Sequence, residues 1–291
     1  MNSLFPDPSA SMLDRIKSSM VGLKMPRAIE VVDDCVSRLD RGEITALEAV
    51  EQLLLEELTF REQRRIRTAL RMGRVNTVKT LGGYDFSFQP SLDKARIMAL
   101  AELNFVARAE VVHLLGPPGT GKSHLASALG LEAVKAGKSV SFITLADLIG
   151  ALAKAEREGT LRERLRFYCR PSPLIVDEIG YLPVGSGGGN LFFQLVNACY
   201  ERCAMIMTSN RGFGEWADIF GDAVVATALL DRLLHHAVVI PIEGNSYRLR
   251  EHANLLPEHL RNRAALQSAP QPEIKRGPGR PRKEAAAPIS G

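Results

Sequence analysis

The chain has 291 residues, 45% of them apolar, with a formal charge of +4, which suits one large domain accompanied by a smaller one or by tails. No apolar run approaches the roughly 20 residues of a membrane span, and residues 1–11 lack the features of a secretory signal, so a cytoplasmic protein is expected. Seven basic residues against three acidic ones after position 256 account for the whole excess of charge, placing it in a tail where it can meet a polyanion.

Residues 11–80 read as helices. Thr45 and Glu48 form a capping box, after which Leu47, Val50, Leu54 and Leu58 recur at the spacing of a buried helix face, with Gly73 as a stop. The second half of that helix carries Arg61, Arg64, Arg65, Arg67, Arg71 and Arg74 against a single Glu62. Such an excess over acidic partners points to phosphate contacts rather than to a merely solvated face. Through 81–110, Tyr84, Phe86 and Phe88 alternate like an extended segment and read as packing residues, and 91–108 reads as one helix.

Between 111 and 250, strand and helix alternate, the pattern of a parallel α/β sheet. Strands are predicted at 111–115, 140–144, 174–177, 204–208 and 237–242, and helices at 123–135, 145–158, 161–169, 191–202 and 223–236. Glycines at 185 and 187–189 suggest a mobile loop. Cys35, Cys169, Cys199 and Cys203 have no metal-ligand spacing and read as reduced thiols. From about 266 onward, Pro, Ala, Gly and basic residues predict disorder.

Chemistry concentrates at three predicted strand ends, where parallel sheets place it. After the first comes Gly116-Pro117-Pro118-Gly119-Thr120-Gly121-Lys122-Ser123, a complete phosphate-binding loop between a strand and a helix. Its glycines let amide N–H groups close around phosphates at a helix N-terminus, Lys122 reaches the outer phosphates, and the Ser123 hydroxyl suits Mg2+. A nucleoside triphosphate is the expected ligand. The strand at 174–177 delivers Asp177, suited to the magnesium ion, and Glu178, suited to polarising the attacking water. The strand at 204–208 ends near Asn210, which can bond to that water or to the γ-phosphate. Arg232, on the helix at 223–236, reads equally as an arginine finger for a neighbouring subunit and as half of a local pair with Asp231.

These motifs, in this order, resemble the AAA+ ATPases of the DnaA/DnaC helicase-loader clade, and most closely the IstB-type transposition helpers. The stretches that carry the resemblance are 115–124, Asp-Glu-Ile-Gly-Tyr-Leu-Pro (177–183), Thr-Ser-Asn-Arg (208–211), Glu-Trp (215–216), Phe-Gly-Asp (220–222), Leu-Asp-Arg-Leu-Leu-His-His-Ala (230–237) and Ser-Tyr-Arg-Leu-Arg (246–250). With Tyr-Asp-Phe at 84–86, they cover residues 45–252. The resemblance implies an AAA+ core with a parallel sheet flanked by helices, ATP and Mg2+ held at 116–124 and Asp177, and Arg232 supplied to a neighbour. It also makes Arg248 a phosphate contact in one subunit or the other. His235 and His236 match the family stretch and read as a packed helix end.

The implied organisation is a helical domain for DNA binding and oligomerisation (1–80), a linker and packing helix (81–110), the ATPase core (111–260) and a basic tail (261–291). Too few residues follow Arg250 for a full helical lid, so closure by the next subunit is expected. In the tail, Gly279-Arg280-Pro281-Arg282 resembles an AT-hook, although Pro278 stands where an arginine is usual; Arg280 and Arg282 would contact DNA. The implied activity is that of an ATPase assembling on duplex DNA for a transposase. A DnaC-type helicase loader on single-stranded DNA fits the same motifs, and an architectural protein with a vestigial ATP site is the third reading.

Overall fold

The computed structural model describes residues 9–75, 78–185 and 187–250. Three helices open the chain: α1 (Met12–Gly22), α2 (Pro26–Asp40) and α3 (Ala46–Met72). The capping box is present, Glu48 N–H donating to Thr45 Oγ1 at 3.3 Å and Thr45 N–H to Glu48 Oε2 at 2.7 Å. The apolar face that follows is not where its spacing predicted. Leu47, Val50, Leu54 and Leu58 are exposed, Leu47 at 83%, because α2 packs on the other side of α3, over Ala49 and Glu57.

The buried Glu57 carboxylate explains that choice of face. It accepts from the first-turn N–H groups of α2, Arg27 at 3.0 Å and Ala28 at 3.3 Å, and from Arg61 Nε at 2.8 Å. A carboxylate at a helix N-terminus is favoured by the helix dipole.

At its far end α3 docks on the α/β core. Arg65 donates to the carbonyls of Val134 and Lys135, both at 3.1 Å, and Gly73 O accepts from Phe142 N at 2.7 Å. Only glycine fits at 73, since a Cβ there would lie 2.4 Å from Val140 O.

The next segment departs from expectation twice. Phe86–Phe88 is a single 3-10 turn capped by Asp85, not an extended run. The predicted helix at 91–108 is two pieces, α4 (Lys94–Ala101) and α5 (Asn104–Ala107), broken where Leu103 takes a left-handed conformation at φ 63°. Leu81, Tyr84, Leu92, Ile97 and Phe105 nevertheless join the same core as the sheet.

The core contains β1 (Val111–Leu115), α6 (Lys122–Lys135), β2 (Ser141–Thr144), α7 (Leu145–Arg157), α8 (Leu161–Tyr168), β3 (Leu174–Ile179), α9 (Gly188–Cys199), β4 (Met205–Ser209), α10 (Trp216–Phe220), α11 (Ala223–Leu234), β5 (Ala237–Pro241) and α12 (Tyr247–Arg250). The strands form one parallel sheet in the order β2-β3-β4-β1-β5. Successive strand residues face opposite sides, so Ile175 and Ile206 enter the layer with α6, while Val176 and Met207 enter the layer with α7 and α9. A sheet covered on both faces explains the near-continuous apolar strands.

The expected mobile loop is partly helix. Gly188 and Gly189 open α9 and are buried, and a Cβ on Gly188 would lie 2.2 Å from Val184 Cγ1. The four cysteines are free thiols; packing brings Cys169 Sγ within 3.1 Å of Cys199 Sγ. The basic tail, with Arg280 and Arg282, lies outside the described residues. Among the described residues no helix is long and apolar enough to cross a membrane.

Candidate functional site

Because β4 lies between β1 and β3, its end stands between the loop that follows β1 and the carboxylates that end β3. Three separate stretches of sequence therefore meet at one edge of the sheet. The loop 116–121 wraps toward the N-terminus of α6, with Gly119 at φ 83° and Gly121 at φ 92°, conformations that strain any other residue. Its closeness to neighbours is as demanding: a Cβ on Gly121 would lie 2.5 Å from Tyr84 Cε2. The Tyr84 hydroxyl donates to Thr120 O at 2.9 Å, so the Tyr-Asp-Phe stretch braces the loop. His124, just past the loop, places a ring nitrogen 2.9 Å from Thr80 O and its ring edge-on to Tyr84.

Lys122 is buried, and its ammonium donates to Gly116 O and Pro117 O, both at 2.7 Å. Burial pushes its pKa down to about 8, opposed by the Asp177 charge and assisted by that of Arg248. Bound phosphates favour the ammonium form. Above pH 8 the empty site holds a partly neutral lysine, so nucleotide binding is expected to take up a proton there and to weaken as pH rises; near neutral pH the uptake vanishes. Calorimetric titrations in buffers of different ionisation enthalpy measure this directly.

Asp177 is buried at the end of β3 and accepts from Ser123 Oγ at 2.9 Å and from the Thr208 hydroxyl. Serine hydroxyl and carboxylate form an all-oxygen donor set, which fits Mg2+. The glycine cradle and the buried lysine fit a triphosphate. Glu178 differs from its neighbour: it is exposed, and its φ of 63° lies in the left-handed region, at a break in the β3–β4 register between Val176 and Ile179. Such a break re-aims a side chain, and here it turns Glu178 out of the sheet. Asn210 lies beside it, its N–H bonded to Ile179 O at 3.3 Å and its buried Oδ1 without a partner.

Thr208 was not singled out for a role in the sequence. Its hydroxyl both donates to Asp177 and accepts from Glu178 N–H at 3.1 Å, so one side chain holds the Asp177 carboxylate and the Glu178 backbone. A threonine in a strand carries no signal by itself; only the sheet order reveals the contact. Thr208→Val keeps the shape and removes the hydroxyl, so Mg2+-dependent nucleotide affinity is expected to fall about tenfold, as checked by titration with a fluorescent ATP analogue.

A cleft of about 570 Å³ opens in front of the loop, lined on one side by Gly119 to His124 and on the other by Arg74, Lys79, Tyr84, Phe88, Tyr247 and Arg248. Two assignments are refined by it. Arg74 lies beyond the end of α3 and faces the cleft rather than the arginine-rich surface, and Arg248 lines the cleft of its own chain. Residues 246–248 also cover the loop, Tyr247 N–H donating to Gly119 O at 2.9 Å, so part of the closure expected from a neighbour comes from the chain itself.

Arg232 lies elsewhere. It donates to Asn197 Oδ1 at 3.1 Å and rests 5.1 Å from the Tyr200 ring centroid, beside Val111 and Met205, where β1 and β4 begin. The phosphate loop follows the other end of β1, on the order of 15 Å away by strand rise. The six arginines of the N-terminal zone also separate. Arg61 bonds to Glu57 and to Leu23 O and Lys24 O, and Arg65 to Glu62 and α6. Arg64, Arg67 and Arg71 are exposed at helical spacing on one face of α3.

The profile of the family described as "IstB-like ATP binding protein" matches residues 18–254. A protein named for ATP binding in insertion sequence IS21 of Pseudomonas aeruginosa is 45% identical over 229 residues, covering 79% of this chain and 86% of its own length. A counterpart in insertion sequence IS5376 of Geobacillus stearothermophilus is 40% identical over 240 residues, covering 82% and 96%. Among solved structures, AMPPCP-bound DnaA from Aquifex aeolicus aligns with a TM-score of 0.49 at 23% identity, covering 65% of this chain and 59% of that one. With a family match that spans the N-terminal helices, the phosphate loop, both carboxylates and Arg248, the chain belongs to the IstB-like ATP-binding family.

Proposed function

We propose that this protein is an ATP-dependent DNA-binding helper of a transposase, acting in the cytoplasm, and that it hydrolyses ATP at the junctions between its own subunits. The observation that carries the reading is continuity between two surfaces. Helix α3, with Arg64, Arg67 and Arg71 exposed, is tied to the core by Arg65 and Gly73. It ends beside Arg74, which lines the nucleotide cleft together with Tyr84 and Phe88. A change at the cleft therefore reaches the basic helix through Arg74.

The steps follow from the residues. Lys122 exchanges its bonds to Gly116 O and Pro117 O for phosphate oxygens, and Ser123 and Asp177 would hold Mg2+, which would supply positive charge against the phosphoryl group. Glu178 accepts the proton of the attacking water, and Asn210, beside it, orients that water. Arg232 lies far from its own loop and serves the neighbour's. Assembly then sums many weak phosphate contacts from Arg64, Arg67, Arg71 and the tail residues Arg280 and Arg282. Bending a 20–30 base-pair site costs about 1–6 kcal/mol, within reach of such a sum.

Sedimentation of the purified protein with a non-hydrolysable ATP analogue tests the reading. Large complexes are expected on duplex DNA and not on a single strand of equal length, and Lys122→Ala should abolish them. Preference for the single strand would instead support a helicase loader. Binding indifferent to nucleotide would sink both.

A further inference from the structure

We propose that Glu201, His235 and His236 form a binding site for a borderline divalent cation of the zinc class, joining the turn after α9 to the junction of α11 and β5. The site is separate from the oxygen ligands Ser123 and Asp177, since it lies where the strands begin and the nucleotide cleft lies where they end.

The geometry is already close to that of a metal site. One ligand atom from each of the three residues lies within 4.8 Å of the other two. His236 Nε2 is 3.8 Å from Glu201 Oε1, and the two imidazole rings have centroids 4.1 Å apart. Zinc bonds of about 2.0–2.2 Å in a tetrahedron place neighbouring ligand atoms about 3.4 Å apart. All three side chains are exposed, so small rotations close the remaining gap. The expected packed helix end is thus an open one.

The outer partner is also in place. Tyr200 and His235 share a hydrogen bond of 2.8 Å between the phenol oxygen and Nδ1. A ligating histidine characteristically uses its other ring nitrogen this way, which fixes the ring and leaves Nε2 for the metal. Two imidazoles and one carboxylate select zinc-like ions over magnesium or calcium, which take oxygen donors. A protein-derived set of three leaves a fourth position for water.

An occupied site would hold Tyr200 in place beneath Arg232, whose guanidinium rests over that ring. The binding itself does not depend on any role of Arg232.

The test uses untagged full-length protein, titrated with Zn2+ by calorimetry and with Co2+ by visible absorption. Wild type is expected to bind one equivalent of Zn2+ and to give the ligand-field bands of nitrogen and oxygen coordination. His235→Ala/His236→Ala should lose that equivalent, and Tyr200→Phe should weaken it about tenfold. Unchanged Mg2+-ATP affinity in each variant shows that the fold is intact. Equal Zn2+ binding by wild type and the double variant would overturn the proposal. So would a thiolate-to-cobalt charge-transfer band, which would move the metal to Cys169, Cys199 and Cys203.

Discussion

Arg232→Ala is expected to slow ATP hydrolysis by about 10³–10⁵-fold while leaving nucleotide binding by the isolated chain unchanged. The reason is position. Helix α11 runs back along the sheet and delivers Arg232 to the edge where β1 starts, beside Val111, while the phosphate loop follows Leu115 at the opposite edge. The guanidinium is held by Asn197 and the Tyr200 ring, a pose that keeps it half-buried. Removing it should not disturb the chain's own cleft. The decisive form of the experiment mixes two inactive proteins. Arg232→Ala keeps a complete phosphate loop, and Lys122→Ala keeps a complete finger. If the finger acts in trans, junctions between the two recover activity, and phosphate release rises on mixing. No recovery, with both proteins shown to co-assemble, would count against a trans role.

Glu178→Gln is expected to lower the hydrolysis rate by about 10²–10⁴-fold, the range for losing a positioned general base, with ATP affinity retained. Gln keeps the size and the hydrogen-bonding reach of Glu but cannot take a proton from water. Asp177 has no such freedom, since it is buried and its Oδ1 accepts two hydroxyl hydrogen bonds. The two adjacent carboxylates therefore sit in different surroundings. The register break after Val176 turns Glu178 outward at φ 63°, a conformation that a non-glycine residue adopts at a cost of order 1–3 kcal/mol when the surroundings impose it. Single-turnover phosphate release measures the rate, and the lifetime of complexes on duplex DNA measures the consequence: with hydrolysis blocked, they should persist. Rapid turnover by the variant would remove Glu178 from the role of base.

Local pattern determined much of this molecule. The phosphate loop, its flanking strand and helix, the capping box at Thr45 and the five strands of the sheet follow from short-range rules. Glycine spacing, helix capping and apolar runs act within a few residues and are therefore visible in a linear string. Asp177 and Glu178 stand out only in combination, since an apolar strand ending in carboxylates is common and gains meaning from the phosphate loop about fifty residues before it.

Tertiary structure decided the rest, wherever the outcome depended on which distant surface a residue met. The leucines at 47, 54 and 58 have the spacing of a core face, yet the Glu57 carboxylate seated on the first turn of α2 sets which side of α3 is covered. Six arginines look alike in sequence, but Arg61 and Arg65 bond within the chain and Arg74 turns into the cleft. Thr208 became a positioning residue only because β4 is inserted between β1 and β3. Periodicity reports that a side chain prefers burial or charge; only long-range packing and hydrogen-bond geometry select its partner.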